Sequence, residues 1–196
     1  YHSAITDPLT GLYSHRHFQQ ECDQIMRRAM RTQSNVSLMI LDLDHFKQLN
    51  DKHGHEQGNI CLKRISELLK LNFRITDVIA RFGGDEFEIL LPEASTEKCL
   101  KIAQSLIELI RNEKFPLQIS GTIGIATYPT HASDSQSLFL AADQALYVGK
   151  NQGRNCAVVS TLEANITKEK KRAPSPKNQA LPKKSNSIQT TLPSNL

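Results

Sequence analysis

The chain has no apolar run approaching a membrane span, no C-x-x-C pair, no visible signal peptide and no internal repeat. The first absence excludes a membrane-spanning helix from this sequence. The second removes the usual spacing for zinc or dithiol redox chemistry, and the third leaves no secretory address. The four cysteines, Cys22, Cys61, Cys99 and Cys156, are widely spaced. Three of them fall on apolar-periodic positions, which predicts buried free thiols in a reducing cytosol. The chain starts with Tyr1 rather than Met. That reads as a piece of something longer, with room for an upstream sensor or membrane segment.

Charge of one sign is also scarce once the tail is set apart. Residues 162–196 carry seven Lys and Arg against two Glu, a net of +5 in a chain whose total is +4, so residues 1–161 sit at −1. A nearly neutral core shows no general nucleic-acid footprint. The tail holds four of the eight prolines and many Ser, Thr and Asn. Such a composition cannot bury enough apolar surface to offset its ordering entropy, which predicts a disordered, solvated tail. The domain division expected is therefore 1–161 for one folded domain and 162–196 for the tail.

Helices and strands alternate within that domain. Apolar stripes at helical spacing predict helices over about 15–31, 57–71, 96–111 and 137–148. Strands are predicted over 36–43, 77–82, 87–91, 117–128 and 157–159, the first apolar enough to be buried on both faces. Such alternation with at least one antiparallel hairpin predicts an α/β or α+β sandwich around a mixed central sheet.

The run from Arg81 to Pro92 carries the chemistry. Two strand-forming segments flank Gly83 and Gly84, and a Gly pair supplies the positive φ angles a tight hairpin needs. Asp85 and Glu86 follow at once. Adjacent carboxylates at a hairpin tip suit Mg²⁺, a hard cation that prefers oxygen, and two glycines let a phosphate approach the backbone. A solvated turn with two surface acids is the plain alternative. Asp42 and Asp44 lie two apart at the end of a strand, so they share one face. Together with the hairpin acids they match a palm-like site, where carboxylates hold metal for in-line attack on a phosphate. Lys47 is a cation five residues after Asp42, and Lys150 and Arg154 flank Gly153 past the last helix. They either complement a helix dipole or neutralise a polyphosphate.

In this order and spacing the chain resembles the GGDEF family, the diguanylate cyclases. The resemblance rests on Asp7-Pro8-Leu9-Thr10-Gly11-Leu12, Asp42-Leu43-Asp44-His45-Phe46-Lys47, Asn50-Asp51, Gly54-His55 and Gly83-Gly84-Asp85-Glu86-Phe87. It continues through Gly121-Thr122-Ile123-Gly124-Ile125-Ala126 and Ala142-Asp143-Gln144-Ala145-Leu146-Tyr147 to Lys150, Gly153, Arg154 and Asn155. The resemblance implies a mixed five-stranded sheet wrapped by helices, similar to the adenylyl cyclase and polymerase palm core. It implies condensation of two GTP into cyclic di-GMP by a cytoplasmic homodimer, with one GTP per monomer. Asp42, the Leu43 carbonyl and Asp85 would hold Mg²⁺, with Mn²⁺ as the alternative. Asp85 or Glu86 would help deprotonate the 3′-hydroxyl, and Lys47, Lys150 and Arg154 would steady the phosphates. Asn50 and the residue at Asn59 would meet guanine, with Phe46, His55, Gly83 and Gly84 completing the substrate site. Arg74 and Asp77 stand where many members carry an inhibitory product site; a surface ion pair is the plain alternative. Asn59 departs from the family's usual Asp, and Ser14 from its usual Asn. A GGDEF domain that only binds nucleotide and regulates a partner, and a cyclase with relaxed purine choice, are the rival functions.

Overall fold

The computed structural model describes residues 5–164. The residues from 165 to 196, most of the expected tail, lie outside the described residues. Among the described residues six strands form one sheet in the order β1-β3-β4-β2-β5-β6. They are β1 (Tyr13–Ser14), β2 (Val36–Asp44), β3 (Val78–Gly83), β4 (Glu86–Pro92), β5 (Ser120–Tyr128) and β6 (Ala157–Val159). Pairings β3–β4, β4–β2 and β2–β5 are antiparallel; the outer pairs β1–β3 and β5–β6 are parallel. The mixed sheet agrees with the expectation from sequence. The sixth strand is β1, whose two residues are too short to show a period.

Alternate residues of β2 feed two cores. Val36, Leu38 and Ile40 pack with α1 (His15–Thr32) and α4 (Ser135–Asn151). Met39, Leu41 and Leu43 pack with α2 (Phe46–Asn72) and α3 (Thr96–Asn112). A central strand buried on both faces must be apolar throughout, so the two acids at its end stand out. Three helices start on side-chain caps: Ser14 accepts from the His17 N–H, Ser95 from that of Lys98 and Asp134 from that of Ser137. Ser caps a helix as well as Asn does, so the Ser14 departure costs this end little.

Helix α2 begins eleven residues before the start expected at 57. Its first turns are polar and carry no long apolar stripe, which hid them from a periodicity search. Gly54, at φ 84° and ψ 160°, breaks the helix into two segments; that left-handed φ is cheap for glycine alone. On the opposite face Gly124 lets α4 press on β5. A Cβ there would lie 2.1 Å from the Ala142 carbonyl oxygen and 2.3 Å from the Leu146 nitrogen. This close approach sets the height of α4, and so of Lys150 near its end.

Cys22, Cys61 and Cys99 are buried free thiols, as expected. Burial pushes each to about 12. Among the described residues no helix is long and apolar enough to cross a membrane.

Candidate active site

The hairpin turn falls one position later than expected. Gly83 pairs with Glu86, so the two-residue loop is Gly84-Asp85 rather than Gly83-Gly84. Gly84 takes φ 53°, and a two-residue hairpin loop with positive φ at its first position calls for glycine. Asp85 therefore lies within the turn. Its carbonyl accepts the Leu43 N–H at 3.2 Å, fixing the tip against the end of β2.

Register does the rest. Asp42 stands opposite Glu86, and Ile40 opposite Glu88. Direct cross-strand partners share a face, so Asp42, Asp44, Glu86 and Glu88 all lie on the α1/α4 side. Burial, then the Asp42 charge, raises the Asp85 carboxyl above the ordinary range. Burial, then Asp42, Asp85 and Asp143, raises Glu86. Lys150 opposes both shifts and does not cancel them. This corner of the molecule thus holds more negative charge than it neutralises.

Lys150 reaches down from α4 and donates from Nζ to Oδ1 of both Asp42 and Asp44, at 2.9 Å for Asp44. Asp44 is 1 % exposed. It also accepts from Ser120 Oγ and Thr122 Oγ1, each at 2.8 Å, and from the Asn155 N–H at 3.0 Å. Burial alone would raise its carboxyl, yet these hydrogen bonds outweigh burial and hold it below the ordinary range. Asp44 is thus a satisfied structural hub that ties β2, β5 and the end of α4. Asp42 is half-buried, and its Oδ2 makes no hydrogen bond among the described residues.

The donors suit Mg²⁺. Among the described residues no group of three His, Cys, Asp or Glu side chains makes a protein-only metal cage. Mg²⁺ is commonly held by one or two carboxylates, with substrate phosphates and water completing its shell. Asp42 and Asp85 are two such carboxylates, and their mutual repulsion is what a cation would relieve.

Two further pairs brace the site, neither of them foreseen. Arg81 donates to the Gly84 carbonyl at 2.7 and 3.1 Å and to the Asp7 carboxylate at 3.3 Å. Asp7 in turn accepts from Thr10 through backbone and side chain. Glu88 is 2 % exposed and receives His15 Nδ1 at 2.9 Å on both oxygens. Burial pushes its carboxyl up to about 7 against the pull of His15. A His fifteen residues in and a Glu on a strand carry no sequence pattern that joins them.

The start of α2 folds back on itself around Gly58. A Cβ at Gly58 would meet Asn50 Oδ1 at 1.9 Å and Phe46 Cζ at 3.1 Å. Asn50 Oδ1 is buried and has no hydrogen-bond partner among the described residues, an uncommon condition for a buried polar atom. Asn59, next in the chain, is exposed, as are Lys47 and His55. Phe46 is buried in the core beneath them. Arg154 is exposed in the turn after α4, with its N–H on the Gly149 carbonyl at 3.1 Å.

Arg74 and Asp77 form a turn rather than the alternative ion pair. Asp77 Oδ2 accepts the Arg74 backbone N–H at 2.8 Å, and no side-chain ion pair joins them among the described residues. The Arg74 side chain lines a cavity of about 470 Å³ with Arg28, Lys98, Ser34, Thr76 and Glu93. Arg28 and Lys98 come from α1 and α3, and no local motif marks them.

The structure thus gathers Asp42, Leu43, Asp85, Glu86 and Lys150 at one corner, and Asn50, Gly58 and Asn59 at the start of α2. Arg74 and Asp77 stand apart from both.

The family described as diguanylate cyclase, GGDEF domain, matches residues 4–156 of this chain. Among curated relatives, diguanylate cyclase TpbB of Pseudomonas aeruginosa is 34 % identical over 189 residues, 93 % of this chain and 43 % of that protein. Diguanylate cyclase DgcP of the same organism is 38 % identical over 157 residues, 78 % of this chain and 23 % of that protein. This chain therefore spans less than half the length of these relatives. The solved GGDEF domain of TpbB superposes with a TM-score of 0.77 at 34 % identity, over 80 % of this chain and 95 % of that one. The GGDEF domain of DgcB from Caulobacter crescentus, solved in complex with c-di-GMP, gives 0.76 at 25 % identity, over 81 % and 97 %.

Proposed function

Because the chain belongs to the GGDEF family of diguanylate cyclase domains, we propose that it joins two GTP into cyclic di-GMP. Two pyrophosphates leave, one for each phosphodiester formed. The observation that carries this reading is the mutual repulsion of Asp42, Asp85 and Glu86 at one strand end and hairpin tip, with Lys150 beside them.

Asp42, Asp85 and the Leu43 carbonyl would hold Mg²⁺, which supplies charge neutralisation for the phosphates of bound GTP. The chain's own groups do the remainder. Glu86, its carboxyl raised by burial and by Asp42, accepts the proton of the attacking 3′-hydroxyl as general base. That oxygen bonds to the α-phosphorus of the second GTP as the bond to pyrophosphate breaks. Lys150, with Lys47 and Arg154, faces the charge that develops on the phosphates. Asn50 offers its amide oxygen, unpartnered among the described residues, to a base donor, and Asn59 follows Gly58, which abuts Asn50. One domain holds one GTP, so a homodimer brings the two together. The domain works in the cytoplasm. The cations around Arg74 suit the two phosphates of the product, which supports feedback at that cavity.

Pyrophosphate release from GTP and Mg²⁺ tests this, measured per monomer over several decades of protein concentration. Specific activity is expected to rise and then saturate as dimers fill. No release at any concentration would leave a domain that binds nucleotide without turning it over.

A further inference from the structure

A second pocket, of about 370 Å³, lies between the β3–β4 hairpin and α4, outside the Asp42–Lys150 corner and touching it only through Glu86. Phe82, Phe139 and Leu140 supply its apolar walls, and Glu86, Glu88 and Asp143 its carboxylates. Phe82 and Leu140 are 50 % and 54 % exposed, and they border the same opening. The aromatic walls are braced from below. The His15 ring lies edge-on to Phe82 and to Phe139, with centroids 4.4 and 6.3 Å away.

The three carboxylates are not equally satisfied. Glu88 is committed to His15. The side chains of Glu86 and Asp143 make no hydrogen bond or ion pair among the described residues. An anionic ligand would be repelled here, so the pocket does not extend the phosphate site. A neutral ligand would leave Glu86 and Asp143 unpaired. Phenyl faces and carboxylates both attract a cation with a flat body.

The geometry points to a binding site for a small organic cation with a flat apolar body: an amidinium, a guanidinium or a protonated aromatic amine. Its body lies against Phe82, Phe139 and Leu140, and its charge meets Glu86 and Asp143.

Calorimetric titration with benzamidinium chloride tests this, with benzamide as the uncharged isostere and no nucleotide present. The outcome is therefore independent of the cyclase reading. Benzamidinium is expected to bind one to one, and benzamide at least about tenfold more weakly, since a charge-assisted bond is lost. Asp143→Asn and Leu140→Ser alter exposed positions and should leave the fold intact. Each should weaken benzamidinium about fivefold, one by charge and the other by lost apolar contact. Absence of binding at millimolar benzamidinium overturns the proposal. So does equal binding of benzamide, or binding by both variants that matches the parent.

Discussion

Lys150 and Asp44 meet at 2.9 Å, and Asp44 is fully buried where Lys150 is not. The neighbouring Asp42 shares the same ammonium, but one of its oxygens has no partner among the described residues. Two aspartates two positions apart thus differ in their surroundings: Asp44 is tied into the frame, and on the proposed reading Asp42 is the one that meets the ligand. Asp44→Asn removes one partner of a buried pair and should cost on the order of 3 kcal/mol of stability. Asp42→Asn should abolish turnover and leave stability nearly unchanged. Denaturant melts and GTP turnover of both variants check this. Equal loss of stability in the two would merge the roles.

Asn50 and Gly58 make a second paired prediction. Gly58→Ala drives a methyl into the Asn50 amide, a side-chain tip that can turn aside. It should raise the KM for GTP by several-fold, at a stability cost near the low end of overpacking, about 1 kcal/mol. Asn59→Asp should act the other way. A carboxylate accepts from both guanine N1–H and N2–H₂, and the charge assistance is worth about 1 kcal/mol over a neutral acceptor. KM for GTP should fall several-fold, and any tolerance of ATP should fall with it. Unchanged KM and unchanged GTP:ATP preference would remove Asn59 from the base site.

Arg74 lines a basic cavity distant from the reacting groups. Added cyclic di-GMP should slow the parent, and Arg74→Ala should relieve that inhibition while leaving the uninhibited rate intact. Lys98→Ala, at another residue lining the same cavity, should do the same. Inhibition curves that coincide for parent and both variants would return Arg74 to a plain turn.

Glu88 gives the protein a pH signature in stability. Its carboxyl sits at about 7 in the folded protein against 4.5 as the ordinary value. The folded state therefore holds this proton more tightly than the unfolded chain does. Its contribution is full below about 4.5 and is lost as pH rises through about 7, on the order of 3 kcal/mol at most. Glu88→Gln keeps a partner for His15 and should lack this part of the slope. Melting temperatures of both proteins from pH 4.5 to 8 check it, and parallel curves would contradict it.

Much of this was legible because it follows from short-range pattern. The two acids ending an otherwise apolar strand, and the glycines before Asp85 and Glu86, marked the corner directly. The cross-strand register that sets Asp42 opposite Glu86 was not readable, because β2 and β4 lie far apart in the sequence and no local signal fixes how they align. The start of α2 was missed because its first turns are polar and its segments are joined through Gly54. His15 with Glu88, and Asp7 with Arg81, pair across 73 and 74 positions. Only the fold brings such residues together, and single-sequence periodicity is silent about them.

The central claim is that Asp85 at the hairpin turn serves a two-GTP condensation. Chromatographic product analysis tests it most directly, with parent and Asp85→Ala incubated at high protein concentration with GTP and Mg²⁺. The parent should yield cyclic di-GMP with two pyrophosphates per product, and Asp85→Ala, still folded by circular dichroism, should yield none. Cyclic di-GMP from Asp85→Ala at a rate near that of the parent would contradict the account.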